Sequence, residues 1–225
     1  MSETALENKP ELPKGEKPSI FKFITEPQEQ FRRMRENPKV LVPLLIVTAV
    51  YALWAALFSF LADFQLMMGD LSAEDMAMIE GAETAIRVST FVTSLLMPVI
   101  GGVIGAFIMW IVVKLTAGDA TFKQLFSLNV FIMFIGGIGL VLNSILTLAL
   151  NLNPAQMITG LTVFFDPYDP MYSLVSLFEV FSIWSIILMA MGLRIVASMK
   201  PVTAWVVTLI ITVGAALIGF LAAGV

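Results

Sequence analysis

Five long apolar stretches divide this 225-residue chain. A helix that rises about 1.5 Å per residue needs about 20 apolar residues to cross a hydrocarbon core about 30 Å thick. In lipid, every backbone amide must find a partner inside the protein, and a helix supplies those partners within one segment. The sequence therefore predicts an all-α polytopic integral membrane protein with five transmembrane helices, at residues 40–62, 88–113, 125–150, 172–196 and 201–225.

The basic residues fall almost entirely on one side of these stretches. Twelve of the 13 Lys and Arg residues precede the first stretch, lie in the connectors that follow the second and the fourth, or, in the case of Arg194, lie at the end of the fourth stretch. Arg87 alone falls on the other side. Because basic connectors stay in the cytoplasm, we expect a protein of the cell membrane with a cytoplasmic N-terminus and an extracytoplasmic C-terminus.

The chain before the first stretch divides into two parts. Residues 1–19 are rich in Glu, Lys and Pro, which predicts a disordered cytoplasmic tail. Residues 20–38 have the signals of a short helix: Thr25 and Gln28 at capping-box spacing, Pro27 in the first turn and Asn37-Pro38 at the end. Residues 39–225 would then form the five-helix transmembrane domain.

The short helix combines apolar anchors with basic flanks, so we expect an amphipathic helix on the cytoplasmic leaflet of the bilayer. Its arginines either enforce the topology or form a docking surface for another protein. The residues that we assign to cytoplasmic docking are Phe31, Arg32, Arg33 and Arg35. A second capping box, Thr121 with Gln124, predicts where the third span begins.

Glu179 is the one carboxyl group within a predicted span, about seven residues from its outer end. Asn143 lies at a matching depth in the preceding span, which runs the opposite way. An intramembrane ionisable group is a functional hypothesis by default, and we expect these two side chains to hydrogen-bond. They would form an interhelical polar clamp, a proton or cation relay, or a partner-docking group. A Glu179→Gln change separates these because a clamp tolerates it and proton coupling does not.

Small residues recur at four-residue spacing in two spans, as Gly101 with Gly105 and as Ala215 with Gly219. Such pairs let helices approach closely, either within one bundle or between two copies of the chain. Between the third and fourth spans, residues 155–165 are apolar but too short to cross, which predicts an interfacial or re-entrant segment.

No catalytic motif is found, and the chain contains neither His nor Cys. The common metal ligands and general bases are therefore missing from the sequence. We expect a protein that is not an enzyme, with no cofactor, no bound metal and no nucleic-acid partner.

Three segments carry a family resemblance: Pro27 to Phe31 with Asn37-Pro38, residues 120–128 (ATFKQLFSL), and residues 177–193 (LFEVFSIW to ILMAMGL). Together they resemble the Ypt-interacting-protein (Yip) domain family, particularly its bacterial, YknW-like branch. The resemblance implies five spans, a cytoplasmic N-terminus and an acidic residue at the position of Glu179.

Some bacterial members accompany ABC exporters, so the resemblance implies a non-catalytic accessory or assembly factor. Its partners would be the lipid bilayer and other integral membrane proteins, such as exporter subunits. The alternative is a small channel or proton-coupled transporter centred on Glu179.

Overall fold

The computed structural model describes residues 16–61, 73–116 and 118–223. Residues 1–15 of the predicted tail lie outside this range. Residues 16–19 of the same segment are held against the first helix: Glu16 pairs with Arg33 at 2.5 Å, and the Ser19 backbone N–H donates to Gln30 Oε1 at 2.8 Å.

Seven α-helices form the described part of the chain. They are α1 (Pro27–Glu36), α2 (Leu41–Ala56), α3 (Ala73–Leu115), α4 (Phe122–Leu150), α5 (Met171–Val175), α6 (Val180–Val196) and α7 (Pro201–Ala223). A π-helical turn, Leu57–Leu61, extends α2, and 3₁₀ turns cover Leu161–Phe164 and Ser176–Phe178.

Among the described residues, four helical segments are long and apolar enough to cross a membrane: Leu41–Leu61, Gly81–Leu115, Phe122–Leu150 and Pro201–Ala223. The sequence predicts one more span at residues 172–196, the fourth in chain order, but this stretch is not one continuous helix. It consists of α5, a 3₁₀ turn and the 17-residue α6. Glu179 separates the turn from α6 with an extended backbone (φ −85°, ψ 146°), so the prediction of one regular helix here is wrong.

Helix α4 lies at the centre of the bundle and packs against α2, α3 and α6. In its most apolar stretch 61% of the residues are buried, against 17% for the corresponding stretches of α2 and α7. The outer helices accordingly expose many large apolar side chains, as expected for surfaces that face lipid.

Helix α1 and two connectors meet at one end of the bundle, which we call the basic end. The Asp119 N–H donates to the Ala197 carbonyl at 2.9 Å and so joins the α3–α4 connector to the α6–α7 connector. Gln124 Nε2 donates to the Arg35 carbonyl at 2.6 Å, which ties α4 to α1. These are the segments in which the sequence concentrates its Lys and Arg residues.

The two predicted helix starts have different outcomes. At α4 the capping box is confirmed, because the Thr121 side chain accepts from the Gln124 N–H and the Gln124 side chain accepts from the Thr121 N–H. At α1 the prediction of Thr25 as the cap is wrong. The helix begins one residue later, after Glu26, which makes no side-chain cap, while Pro27 occupies the first turn as predicted.

Candidate functional site

Glu179 is the N-cap residue of α6 and is only 3% exposed. Its Oε2 accepts a hydrogen bond from the Ser182 backbone N–H at 2.8 Å. The first turn of a helix has free N–H groups and a partial positive charge, both of which favour a carboxyl group at this position. The buried acidic side chain therefore stabilises the start of α6.

Thr159 joins Glu179 to Asn143. Its hydroxyl donates to Glu179 Oε1 at 2.5 Å and accepts from Asn143 Nδ2 at 2.8 Å. Asn143 Oδ1 in turn accepts the backbone N–H groups of Ile158 at 2.8 Å and Thr159 at 3.2 Å. Among the described residues Asn143 and Glu179 make no direct hydrogen bond with each other, contrary to the prediction, because each bonds Thr159 instead. The three residues form one network, which we call the polar cluster (Asn143, Thr159 and Glu179).

The polar cluster forms because the segment 155–165 folds back onto the bundle. Gly160 pairs with Glu179 in an isolated antiparallel bridge, and the Val180 N–H donates to the Thr159 carbonyl at 3.2 Å. A Cβ atom on Gly160 would lie 2.5 Å from Glu179 Cα, so this close approach requires glycine. The bridge also gives Glu179 its extended backbone and so interrupts the predicted fourth span.

A cleft of about 570 Å³ opens beside the polar cluster, between α4, α5, α6 and α7. Glu179 and Asn143 line it, together with six residues that carry a hydroxyl group: Tyr51, Ser173, Ser176, Ser182, Ser185 and Thr212. Its remaining walls are largely apolar. The cleft is large enough for water or a small molecule, and this is the one observation that favours a transport role for Glu179.

The residues assigned to cytoplasmic docking occupy three different environments. Phe31 is fully buried, with its ring 5.2 Å from the Phe23 ring, so it anchors α1 to the bundle and is not available to a partner. Arg33 pairs with Glu16 and with Glu29 at 2.9 Å. Arg32 and Arg35 are exposed, and they are the members of the set that a partner could reach.

The predicted small-residue pairs face neighbours within the chain. A Cβ atom on Gly105 would lie 2.5 Å from Asn129 Nδ2, and one on Gly219 would lie 2.8 Å from Ser173 Oγ. Gly101 has more space, since a Cβ atom placed there would lie 3.9 Å from Met133 Cε, and Ala215 lines the cleft. These contacts favour packing within one bundle as the role of both pairs.

Two residues of this architecture were not anticipated from the sequence, Thr159 and Asn129. Asn129 Nδ2 donates to the Gly102 carbonyl at 3.1 Å and so links α4 to α3. An amide within an uncharged span is the signal that could have identified Asn129. For Thr159 the signal is the recurrence of Gln156, Thr159 and Thr162 every third residue in an apolar stretch.

Comparison with known proteins gives two matches of high coverage. The family model described as the Yip1 domain matches residues 21–223. "Membrane protein YknW" of Bacillus subtilis (strain 168) is 33% identical over 200 residues, which covers 87% of this chain and 86% of that protein. No solved structure matches the chain. On this evidence, which confirms the resemblance seen in the sequence, the chain is a membrane protein that belongs to the Yip1 domain family.

Proposed function

We propose that this chain is a non-catalytic protein of the cell membrane that binds other integral membrane proteins through Arg32 and Arg35 at its basic end. In this proposal it acts as an accessory or assembly factor for an exporter complex. The exporter assignment draws on the resemblance to bacterial family members that accompany ABC exporters.

The observation that carries the proposal is a difference between the charged groups: the buried carboxyl group of Glu179 is bonded within the chain, whereas Arg32 and Arg35 are exposed. Glu179, the acidic group in the interior, already binds Thr159 and the start of α6 through its two carboxyl oxygens. Arg32 and Arg35 are instead exposed on α1 at the basic end, where Arg32 lies 3.7 Å from Glu29 and Arg35 donates one hydrogen bond to the Ile195 carbonyl at 3.3 Å. Exposed arginines on a helix that is anchored by Phe31 suit a partner with an acidic surface, because charge complementarity guides association.

The proposal includes a five-span topology with a cytoplasmic N-terminus, an extracytoplasmic C-terminus and α1 on the cytoplasmic leaflet. Helix α6 supports a fifth passage because it packs against α4 over much of its length. Gly139 on α4 contacts Phe181 near the start of α6, and Gly192 near its end contacts Leu128. At about 1.5 Å per residue, the 17 residues of α6 cover about 25 Å, and residues 171–179 would complete the crossing.

Affinity purification of the full chain from native membranes tests the proposed partner binding. We expect the wild type to retain integral membrane proteins that Arg32→Glu/Arg35→Glu loses, because the change reverses the charge of the docking surface. Lys123→Glu/Lys200→Glu is the matched control, with the same charge change at exposed positions of the basic end. Equal loss in both variants, or the absence of any co-purifying membrane protein, would contradict the proposal.

A small channel or proton-coupled transporter is the second candidate function, and the cleft beside Glu179 favours it. Purified chain in liposomes would then move protons or small cations, and Glu179→Gln would abolish that movement. If Glu179 acts only as a structural clamp, the wild type shows no flux and Glu179→Gln remains folded.

A further inference from the structure

A second pocket, of about 290 Å³, lies at the basic end between α1, α6 and α7. We call it the basic pocket. Its polar lining consists of Gln28 and Arg32 from α1, Arg194 from α6 and Trp205 from α7. Apolar side chains such as Ile187 and Met191 line the rest. The pocket therefore has a cationic part beside an apolar part.

The polar lining supplies mainly hydrogen-bond donors. Each arginine carries five N–H groups in a fixed planar arrangement, and the indole of Trp205 can only donate. No acidic residue is among the lining residues. Planar arginine groups bind phosphate oxygens through two parallel hydrogen bonds, so this set of side chains suits a phosphate group.

In the part of the chain that the structure describes, neither arginine is neutralised by a strong ion pair. Arg32 has one acidic neighbour, Glu29, at 3.7 Å, and its side chain is 49% exposed. Within the described residues Arg194 makes no hydrogen bond or ion pair and is exposed. Pro201, the first residue of the 23-residue α7, also lines the pocket, so the partial positive charge of that helix start adds to the field.

The surroundings of the pocket favour a lipid over a free anion. Exposed apolar residues continue from it along both helices: Ile183 and Ile187 on α6, and Leu209 and Val213 on α7, each 40–47% exposed. A ligand with a phosphate head and apolar tails would satisfy both surfaces. A volume of about 290 Å³ admits a headgroup, while the acyl chains would lie along the helices outside.

We propose that the basic pocket binds the phosphate of an anionic phospholipid, with Arg32 and Arg194 as its ligands. Basic pockets between membrane helices are known to recognise anionic headgroups. The inference does not rest on the proposed partner binding, and Arg194 lies outside the docking residues. The two proposals share Arg32, so the single variant Arg194→Gln tests lipid binding without changing a docking residue.

Native mass spectrometry of the full purified chain in detergent tests this inference, with phosphatidylglycerol, phosphatidylcholine and inorganic phosphate as separate probes. We expect phosphatidylglycerol to bind with higher affinity than the other two. Arg194→Gln and Arg32→Gln/Arg194→Gln should weaken its binding, the double variant by about tenfold or more, since hydrogen bonds between charged groups are lost. Lys22→Gln/Lys123→Gln is the control because it removes the same charge at exposed positions outside the pocket.

Three results would overturn the inference. One is unchanged phosphatidylglycerol binding by Arg32→Gln/Arg194→Gln, and another is an equal loss in the control variant, which would indicate general attraction to the basic end. The third is binding of inorganic phosphate without phosphatidylglycerol. An Arg32→Lys/Arg194→Lys variant guards against misfolding as the cause, because it keeps the charge and should retain part of the affinity.

Discussion

Thr159 holds the polar cluster together because its hydroxyl both donates to Glu179 and accepts from Asn143. The sequence predicts that Glu179 and Asn143 belong together, from their charge, their polarity and their matching depth. It does not predict the threonine, since a loop position has no helical register from which its neighbours can be inferred. The conformation of the loop decides which side chain enters the gap between α4 and α6.

Replacing Thr159 by Val tests this bridge. We expect a loss of about 1–3 kcal/mol in the free energy of unfolding, because the buried carboxyl group of Glu179 and the amide of Asn143 each lose a partner. Thr159→Ser keeps the hydroxyl and should retain most of the stability. Thermal or denaturant unfolding of the full chain in detergent measures the stability of both variants. Equal stability of Thr159→Val and Thr159→Ser would contradict the proposed role of the Thr159 hydroxyl in the polar cluster.

Gly160 offers a second test at the scale of one residue. In Gly160→Ala the new methyl group would lie 2.5 Å from Glu179 Cα, so the loop must move away from α6. Overpacking of this kind costs about 1–3 kcal/mol. The control is Gly214→Ala in α7, where the added Cβ would meet no atom within 4 Å apart from the neighbouring residues and backbone of its own helix, and a helical alanine should be neutral or mildly stabilising. If unfolding curves give Gly160→Ala the same stability as Gly214→Ala, the close contact between Gly160 and Glu179 is contradicted.

The helix pair α3 and α4 shows what a small-residue motif can and cannot predict. Gly101 and Gly105 indicate that some helix approaches α3 closely, but the motif does not identify that helix. The structure assigns α4, whose Asn129 lies over Gly105 and bonds the Gly102 carbonyl. A buried amide that bonds a backbone carbonyl fixes the register of the two helices, because sliding would leave its N–H groups unpaired.

The two glycines of this motif should respond differently to alanine. Gly105→Ala displaces the buried Asn129 amide and should lower stability by about 1–3 kcal/mol, whereas Gly101→Ala has 3.9 Å of clearance and should be tolerated. Thermal stability in detergent separates the two variants. If the motif instead joins two copies of the chain, both changes would weaken association in cross-linking or light-scattering measurements and leave monomer stability unchanged.

Helix α6 marks the limit of span prediction from length and apolarity. Residues 172–196 are apolar enough to be read as one helix, yet Glu179 adopts an extended conformation and caps α6. The interruption depends on Gly160, which is 19 positions earlier in the chain and pairs with Glu179. Thr121 is the opposite case: both partners of its capping box lie within one turn, so a local pattern was sufficient to predict it.

For the whole molecule, the distribution of Lys and Arg was the more informative pattern. The sequence alone assigns the segments before α2, between α3 and α4, and between α6 and α7 to one side. In the structure these segments are in contact at the basic end, through Gln124 with Arg35 and through Asp119 with Ala197. Segments that lie on the same side of the membrane must meet at the same end of the bundle, and these segments do. Which side of the membrane this end occupies follows from the charge rule and is open to direct measurement.

Site-directed thiol labelling measures the topology on a clean background, because the chain contains no cysteine. Asp166 and Lys200 are exposed and lie on opposite sides of α6 in the chain, so they report whether α6 crosses the membrane. On intact cells we expect Asp166→Cys to react with a membrane-impermeant maleimide. Lys200→Cys and Lys123→Cys should react only after permeabilisation, because both lie at the basic end, which we place in the cytoplasm. Labelling of Asp166→Cys and Lys200→Cys from the same side would mean that α6 does not cross and that the bundle has four spans.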